Sequence, residues 1–106
     1  MGQERRSSQR KRILLDAKWE SMSRTHEARV DDVSLGGCFV NTYGHVEPAE
    51  EINLQILLPS GEWLPLDGRV ASCQPGVGFG MAFTSLSAAK RAVLQELIAT
   101  TKEREI

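Results

Sequence analysis

The sequence predicts an all-β fold with one C-terminal helix: a six-stranded antiparallel β-barrel preceded by a flexible basic N-terminal arm. Three observations predict it. Apolar and polar residues alternate with a period of two along a series of short stretches, which is the mark of half-buried strands. Turn residues such as Pro59-Ser60-Gly61 and Pro75-Gly76 separate several of those stretches. The last segment changes to helical spacing. A single sheet of six alternating strands tends to close on itself, so a small barrel capped by the helix is the natural architecture.

Residues 1–11 hold no large apolar side chain after Met1, so they cannot seed a core, and they form the arm. The barrel with its helix is expected over residues 12–104. The first strand places Ile13, Leu15, Ala17 and Trp19 on one face and Leu14, Asp16, Lys18 and Glu20 on the other. After the polar stretch 21–25, Ala28 and Val30 alternate with Glu27, Arg29 and Asp31. The phase slips at Asp31-Asp32, as at a bulge or strand end. Cys38-Phe39-Val40 is a short third strand after Gly36-Gly37, and residues 43–49 read as a loop. Ile52, Leu54, Ile56 and Leu58 mark the fourth strand; Leu64, Leu66 and Val70 mark the fifth, with Pro65 pointing to an edge or bulge. The sixth carries Val77, Phe79, Met81 and Phe83 inward. Gly78, Gly80 and Ala82 on its other face suggest close approach by another layer of backbone. Leu86, Ala89, Val93, Leu94, Leu97 and Ile98 recur at helical spacing, with Ser85 or Ser87 as N-cap and Lys102 and Arg104 suited to the helix C-terminus.

The chain has 106 residues, 41% of them hydrophobic, which is one domain with a real core. Two cysteines are too few for a disulfide scaffold. No apolar run approaches the roughly 20 residues that span a bilayer, and no apolar segment follows the basic start. Membrane insertion is not expected, and the expected location is cytoplasmic. The net charge of −1 conceals an asymmetry. Five of the 13 basic residues and one of the 14 acids lie in the first twelve residues, which therefore carry +4 against −5 on the remainder. A basic head on an acidic body suits an anionic ligand; a solvated terminus is the alternative.

Two motifs carry candidate chemistry. Arg6-Ser7-Ser8-Gln9-Arg10 sets two planar guanidinium groups four residues apart, suited to phosphate oxygens, guanine edges and base stacking. In Asp32-Val33-Ser34-Leu35-Gly36-Gly37, Asp32 and Ser34 are two apart and would share a face in extended backbone. There a carboxylate can accept from the N1–H and N2–H₂ edge of guanine, with the hydroxyl adding a contact. The same segment also fits an Asx or Ser/Thr turn. Gly76-Val77-Gly78-Phe79-Gly80 lacks the spacing of a phosphate loop and reads as a hairpin. Cys38, Cys73, His26 and His45 show no metal-ligand spacing, and the cysteines are expected to act as small apolar residues. Ser34, Asp32 and His26 lack the context of a hydrolytic triad, so no enzymatic activity and no cofactor are expected.

Together the two motifs resemble those of the PilZ domain family, bacterial receptors for cyclic di-GMP: RxxxR in an N-terminal arm and [D/N]xSxxG after the second strand. Gly68-Arg69-Val70 and the stretch 78–83 resemble the family's closing strands, so the likeness covers essentially the whole chain. It implies that Arg6 and Arg10 bind the phosphates and guanines, that Asp32 and Ser34 hydrogen-bond a guanine, and that Gly37 supplies tight backbone, with Gly36 also among the ligand-binding residues. It also implies that Arg5, just before RxxxR, influences whether one ligand or a stacked pair is bound. The expected function is a cyclic di-GMP receptor that orders its arm on binding and signals through a downstream protein. The alternatives are a barrel that binds nucleic acid through its basic arm, and a ligand-free protein-interaction domain. An acidic body with 6% aromatic residues argues against a nucleic-acid polymer as partner.

Overall fold

The computed structural model describes residues 12–21 and 24–100. Six strands precede one helix: β1 (Leu15–Ser21), β2 (Arg24–Asp31), β3 (Gly37–Asn41), β4 (Glu51–Leu57), β5 (Trp63–Gln74), β6 (Gly78–Ser85) and α1 (Ala88–Thr100). They close into an antiparallel barrel in the order β1-β2-β3-β6-β5-β4. The predicted arm, residues 1–11, and Lys102 and Arg104 lie outside the described residues.

Alternation dictates the core. Ala17 and Trp19 of β1, Ile52, Leu54 and Ile56 of β4, and Leu64, Leu66 and Val70 of β5 point inward and are buried. Each large apolar side chain so buried contributes roughly 1.5–3 kcal/mol. Trp19 is the centrepiece. Its ring stacks on His26 at 4.2 Å between centroids and meets Phe79 edge-on at 5.3 Å. Its indole N–H donates to Thr42 Oγ1 at 3.1 Å, satisfying the one polar atom a buried tryptophan carries.

Pro65 pairs with Gln55 of β4, whereas pairing with β6 starts only at Asp67, so the proline lies where β5 has one neighbour. β5 runs on to Gln74, past the expected end near Val70. A register shift between Val70 and Ser72 breaks the alternation that would have signalled the extension.

Three expectations need correction. Val77 is not an inward strand residue: it lies in the turn before β6 and is 51% exposed, because the chain must reverse there before pairing resumes at Gly78. Ala89 and Val93 are exposed, so the helix offers the barrel a narrower stripe than its spacing suggested. That stripe is Leu94 and Leu97, flanked by Leu86 and Ile98. Cys38 is buried among apolar residues as expected, but Cys73 is exposed on the extended end of β5. Ser87 is the N-cap: its Oγ accepts from Lys90 N–H at 3.2 Å and its carbonyl from Arg91 N–H at 2.8 Å.

Candidate functional site

The phase slip at the end of β2 has a local cause. Asp32 adopts φ +61°, a left-handed conformation that aspartate tolerates better than most side chains. This residue swings the chain so that Val33 returns to the core, fully buried. The backbone there is not extended, and Asp32 and Ser34 do not share a face as their spacing suggested. Asp32 borders an open pocket, whereas Ser34 is 3% exposed and folded into the turn.

Ser34 is occupied by its own turn. Its Oγ accepts from Gly36 N–H at 3.2 Å and donates to the Gly37 carbonyl at 3.3 Å, while its N–H donates to that same carbonyl at 2.9 Å. This is the Ser/Thr turn that the sequence allowed. The Gly36 carbonyl accepts from Phe83 N–H at 2.9 Å, tying the turn to β6. Gly37 pairs with Ala82, and a Cβ on it would lie 2.1 Å from the Met81 carbonyl oxygen. Only glycine permits that approach.

Beside the turn, on the outer wall of the barrel, is an open pocket of about 360 Å³ lined by Asp32, Gly36, Phe39, Ser72, Gly80 and Ala82 among others. Its floor is built from the small residues of β6. The expectation that these pack under another backbone layer holds for Gly78, where a Cβ would be 2.0 Å from the Val40 carbonyl oxygen. Gly80 and Ala82 instead line the pocket.

Two neighbours escaped the sequence reading. Asp31 Oδ1 is buried and is the one such side-chain oxygen or nitrogen without a hydrogen-bond partner among the described residues. A buried acceptor in that state is costly until a donor reaches it. The Asp31-Asp32 pair was visible in the sequence only as a phase break. Arg69 pairs across β5–β6 with Ala82, so a described cation stands next to the pocket. Its guanidinium is 3.9 Å from Glu51 on the adjacent strand, a loose and exposed contact.

Arg5, Arg6 and Arg10 lie outside the described residues. The register nevertheless fixes where their segment joins the barrel. β1 starts at Leu15 opposite Val30, two residues before Asp32, so the chain enters at the same end as the motif turn. At about 3.3–3.6 Å per residue, five residues from Leu15 let Arg10 reach roughly 17 Å and nine let Arg6 reach roughly 30 Å. Among the described residues no group of three or more His, Cys, Asp or Glu could hold a metal ion, and no helix is long and apolar enough to cross a membrane.

The PilZ domain profile matches residues 4–100. No curated protein sequence gives a significant match. Among solved structures, the chain is similar to the PilZ domain of YcgR from Escherichia coli, determined with c-di-GMP. The TM-score is 0.73 and the identity 14%, over 90% of each chain. It is also similar to the Bacillus subtilis inhibitor of motility MotI/DgrA, with TM-score 0.72 and 19% identity over 90% of this chain and 50% of that one. The PilZ domain of CeSA from a cellulose-synthesizing bacterium superposes with TM-score 0.68 and 18% identity, over 86% and 95% of the two chains. At these identities the likeness speaks for the fold. The chain spans about half the length of MotI/DgrA.

Proposed function

The chain belongs to the PilZ domain family, and from that premise we propose that it is a receptor for cyclic di-GMP. The observation that carries the reading is a convergence. The Asp32–Gly37 turn, the pocket beside it and the point where the RxxxR segment joins β1 all lie at one end of the β1–β2 hairpin. The YcgR domain whose fold it shares was solved with that ligand.

The roles follow from the chemistry of a molecule with two phosphodiesters and two guanines. Arg6 and Arg10 meet the phosphates and stack on the bases, since guanidinium matches both. Asp32 accepts from a guanine N1–H and N2–H₂, held outward by its left-handed backbone. Ser34 and Gly37 maintain the turn that presents Asp32, and Gly36 lets the ligand approach main chain. Arg5 sets the space left for a second ligand. Arg69 adds positive potential at the pocket rim, and Asp31 takes a guanidinium of the arm once the arm lies across the barrel. Ligand binding thereby fixes the arm and creates a new surface, which passes the signal to a downstream protein without any chemical conversion. A cytoplasmic site of action accords with a cytosolic second messenger.

Titration calorimetry of cyclic di-GMP against wild type, Arg6→Ala, Arg10→Ala and Asp32→Ala tests the assignment. Saturable binding by wild type, lost or weakened in each variant, is expected. Wild-type-like binding by all three variants rejects the site. Absence of binding by wild type, with tight salt-sensitive binding of single-stranded nucleic acid, rejects the function.

A further inference from the structure

Away from the motif turn, an open groove of about 1030 Å³ crosses the barrel wall. The register makes it continuous. Trp63 pairs with Leu57 at one end, and Ala17 pairs with Ile56 next to it. Asp16 then pairs with Arg29, Arg29 with Asn41, and Asn41 with Gly78, which follows Val77 at the other end. Of the four large apolar side chains exposed among the described residues, three line this groove: Tyr43 at 93%, Val77 at 51% and Trp63 at 39%. Isolated apolar residues on a surface need no explanation, but three gathered in one concavity mark a contact surface.

The charges between the aromatic ends indicate what covers it. On the outward faces of β1 and β2, Asp16 stands opposite Arg29 and Lys18 opposite Glu27. The groove therefore carries two acids and two bases and attracts neither a polyanion nor a polycation. The order of the signs matters more than their sum. A two-fold axis parallel to the strands and between β1 and β2 lays each β1 on the β2 of a second copy. Every acid then faces a base: Asp16 meets Arg29 of the copy, and Lys18 meets Glu27 of the copy. The same operation brings the projecting Tyr43 of each copy to the Trp63–Leu57 end of the other's groove. An isologous contact needs this kind of self-complementarity.

We infer that this groove is a homodimer interface, with the β1–β2 charge ladder as its centre and Tyr43 as the side chain that enters the partner groove. The inference stands apart from ligand binding, because the groove and the Asp32 pocket share no residue.

Sedimentation equilibrium of the ligand-free chain over about 10 μM to 1 mM, the range of a weak isologous contact, tests it. A monomer–dimer equilibrium is expected, and Tyr43→Ala is expected to shift it to monomer. Lys18→Glu and Glu27→Lys alone each set like charges against each other across the axis, weakening association by about tenfold or more. A one-to-one mixture of those two variants restores every opposite pairing, so native mass spectrometry should find the mixed dimer in preference to either homodimer. Circular dichroism establishes that each variant is folded. A wild type that stays monomeric at 1 mM overturns the inference and leaves the surface to a different protein. A dimer indifferent to the two charge variants, or one not recovered on mixing, overturns it as well.

Discussion

Gly37 lies so close to Met81 that the carbonyl oxygen of the methionine would sit 2.1 Å from a Cβ at position 37. The contact is backbone against backbone, so no rotamer change relieves it. It joins the start of β3 to β6 at the root of the Asp32 turn.

Gly37→Ala therefore forces the two strands apart, with an expected loss of about 2–3 kcal/mol in urea denaturation, in the range of overpacked cores. Gly36→Ala is the control. A Cβ there meets only Ser34 Oγ at 3.9 Å, so a change within about 0.5 kcal/mol is expected. Equal losses in the two variants would refute the close-approach account.

Asp32→Gly separates folding from binding. Glycine adopts positive φ without strain but has more freedom in the unfolded chain, and the two effects partly cancel to within about 1 kcal/mol. Loss of a charge-assisted contact of roughly 1.5–3 kcal/mol weakens cyclic di-GMP binding by about 10- to 100-fold. Calorimetry and thermal melting on the same preparation read both quantities.

Asp31→Ala has the opposite signature from an ordinary core truncation. Removing a buried oxygen without a partner leaves the free protein as stable or slightly more stable, by up to about 1 kcal/mol. If the arm delivers a guanidinium to that oxygen, the same variant binds ligand more weakly. Unchanged affinity would remove Asp31 from the mechanism.

Trp19→Phe deletes the indole N–H bonded to Thr42 and part of a filled volume. An expected loss of about 2–4 kcal/mol comes mainly from the cavity, since Thr42 Oγ1 loses the indole donor but keeps the Gly44 N–H at 3.3 Å. Fluorescence separates the two tryptophans: acrylamide should quench Trp63 and spare Trp19. Gly44→Ala crowds the same ring, since its Cβ would lie 2.5 Å from Trp19 Cζ2.

The barrel was legible in the sequence because inward and outward positions alternate without interruption in β4 and through most of β5, from Ile52 to Val70. Legibility failed where a backbone event, not a side-chain pattern, decides. The left-handed Asp32 turned an apparent shared face into one half-buried acid at a pocket and one buried hydroxyl. The reversal at Pro75-Gly76 left Val77 outside. The charge-bearing groove was invisible for another reason. Tyr43, Trp63 and Val77 are far apart in sequence and come to line one groove only through the pairings of the strands between them. The Asp32 motif, by contrast, is a local pattern whose turn is legible directly, while RxxxR lies outside the described residues.

The strand order has a further consequence for how the protein comes into being. β1–β2, β2–β3, β4–β5 and β5–β6 are neighbours in sequence and can zip locally, but β3–β6 and β1–β4 are seams between distant parts of the chain. Such seams close late, because long loops must be ordered before their contacts form. The Asp32 turn lies on one of them, anchored to β6 through Phe83 and Met81. A nascent chain halted before β6 would own both sequence motifs and yet present no pocket. The pocket beside the Asp32 turn is thus a product of completed folding, present only when the final strand is in place.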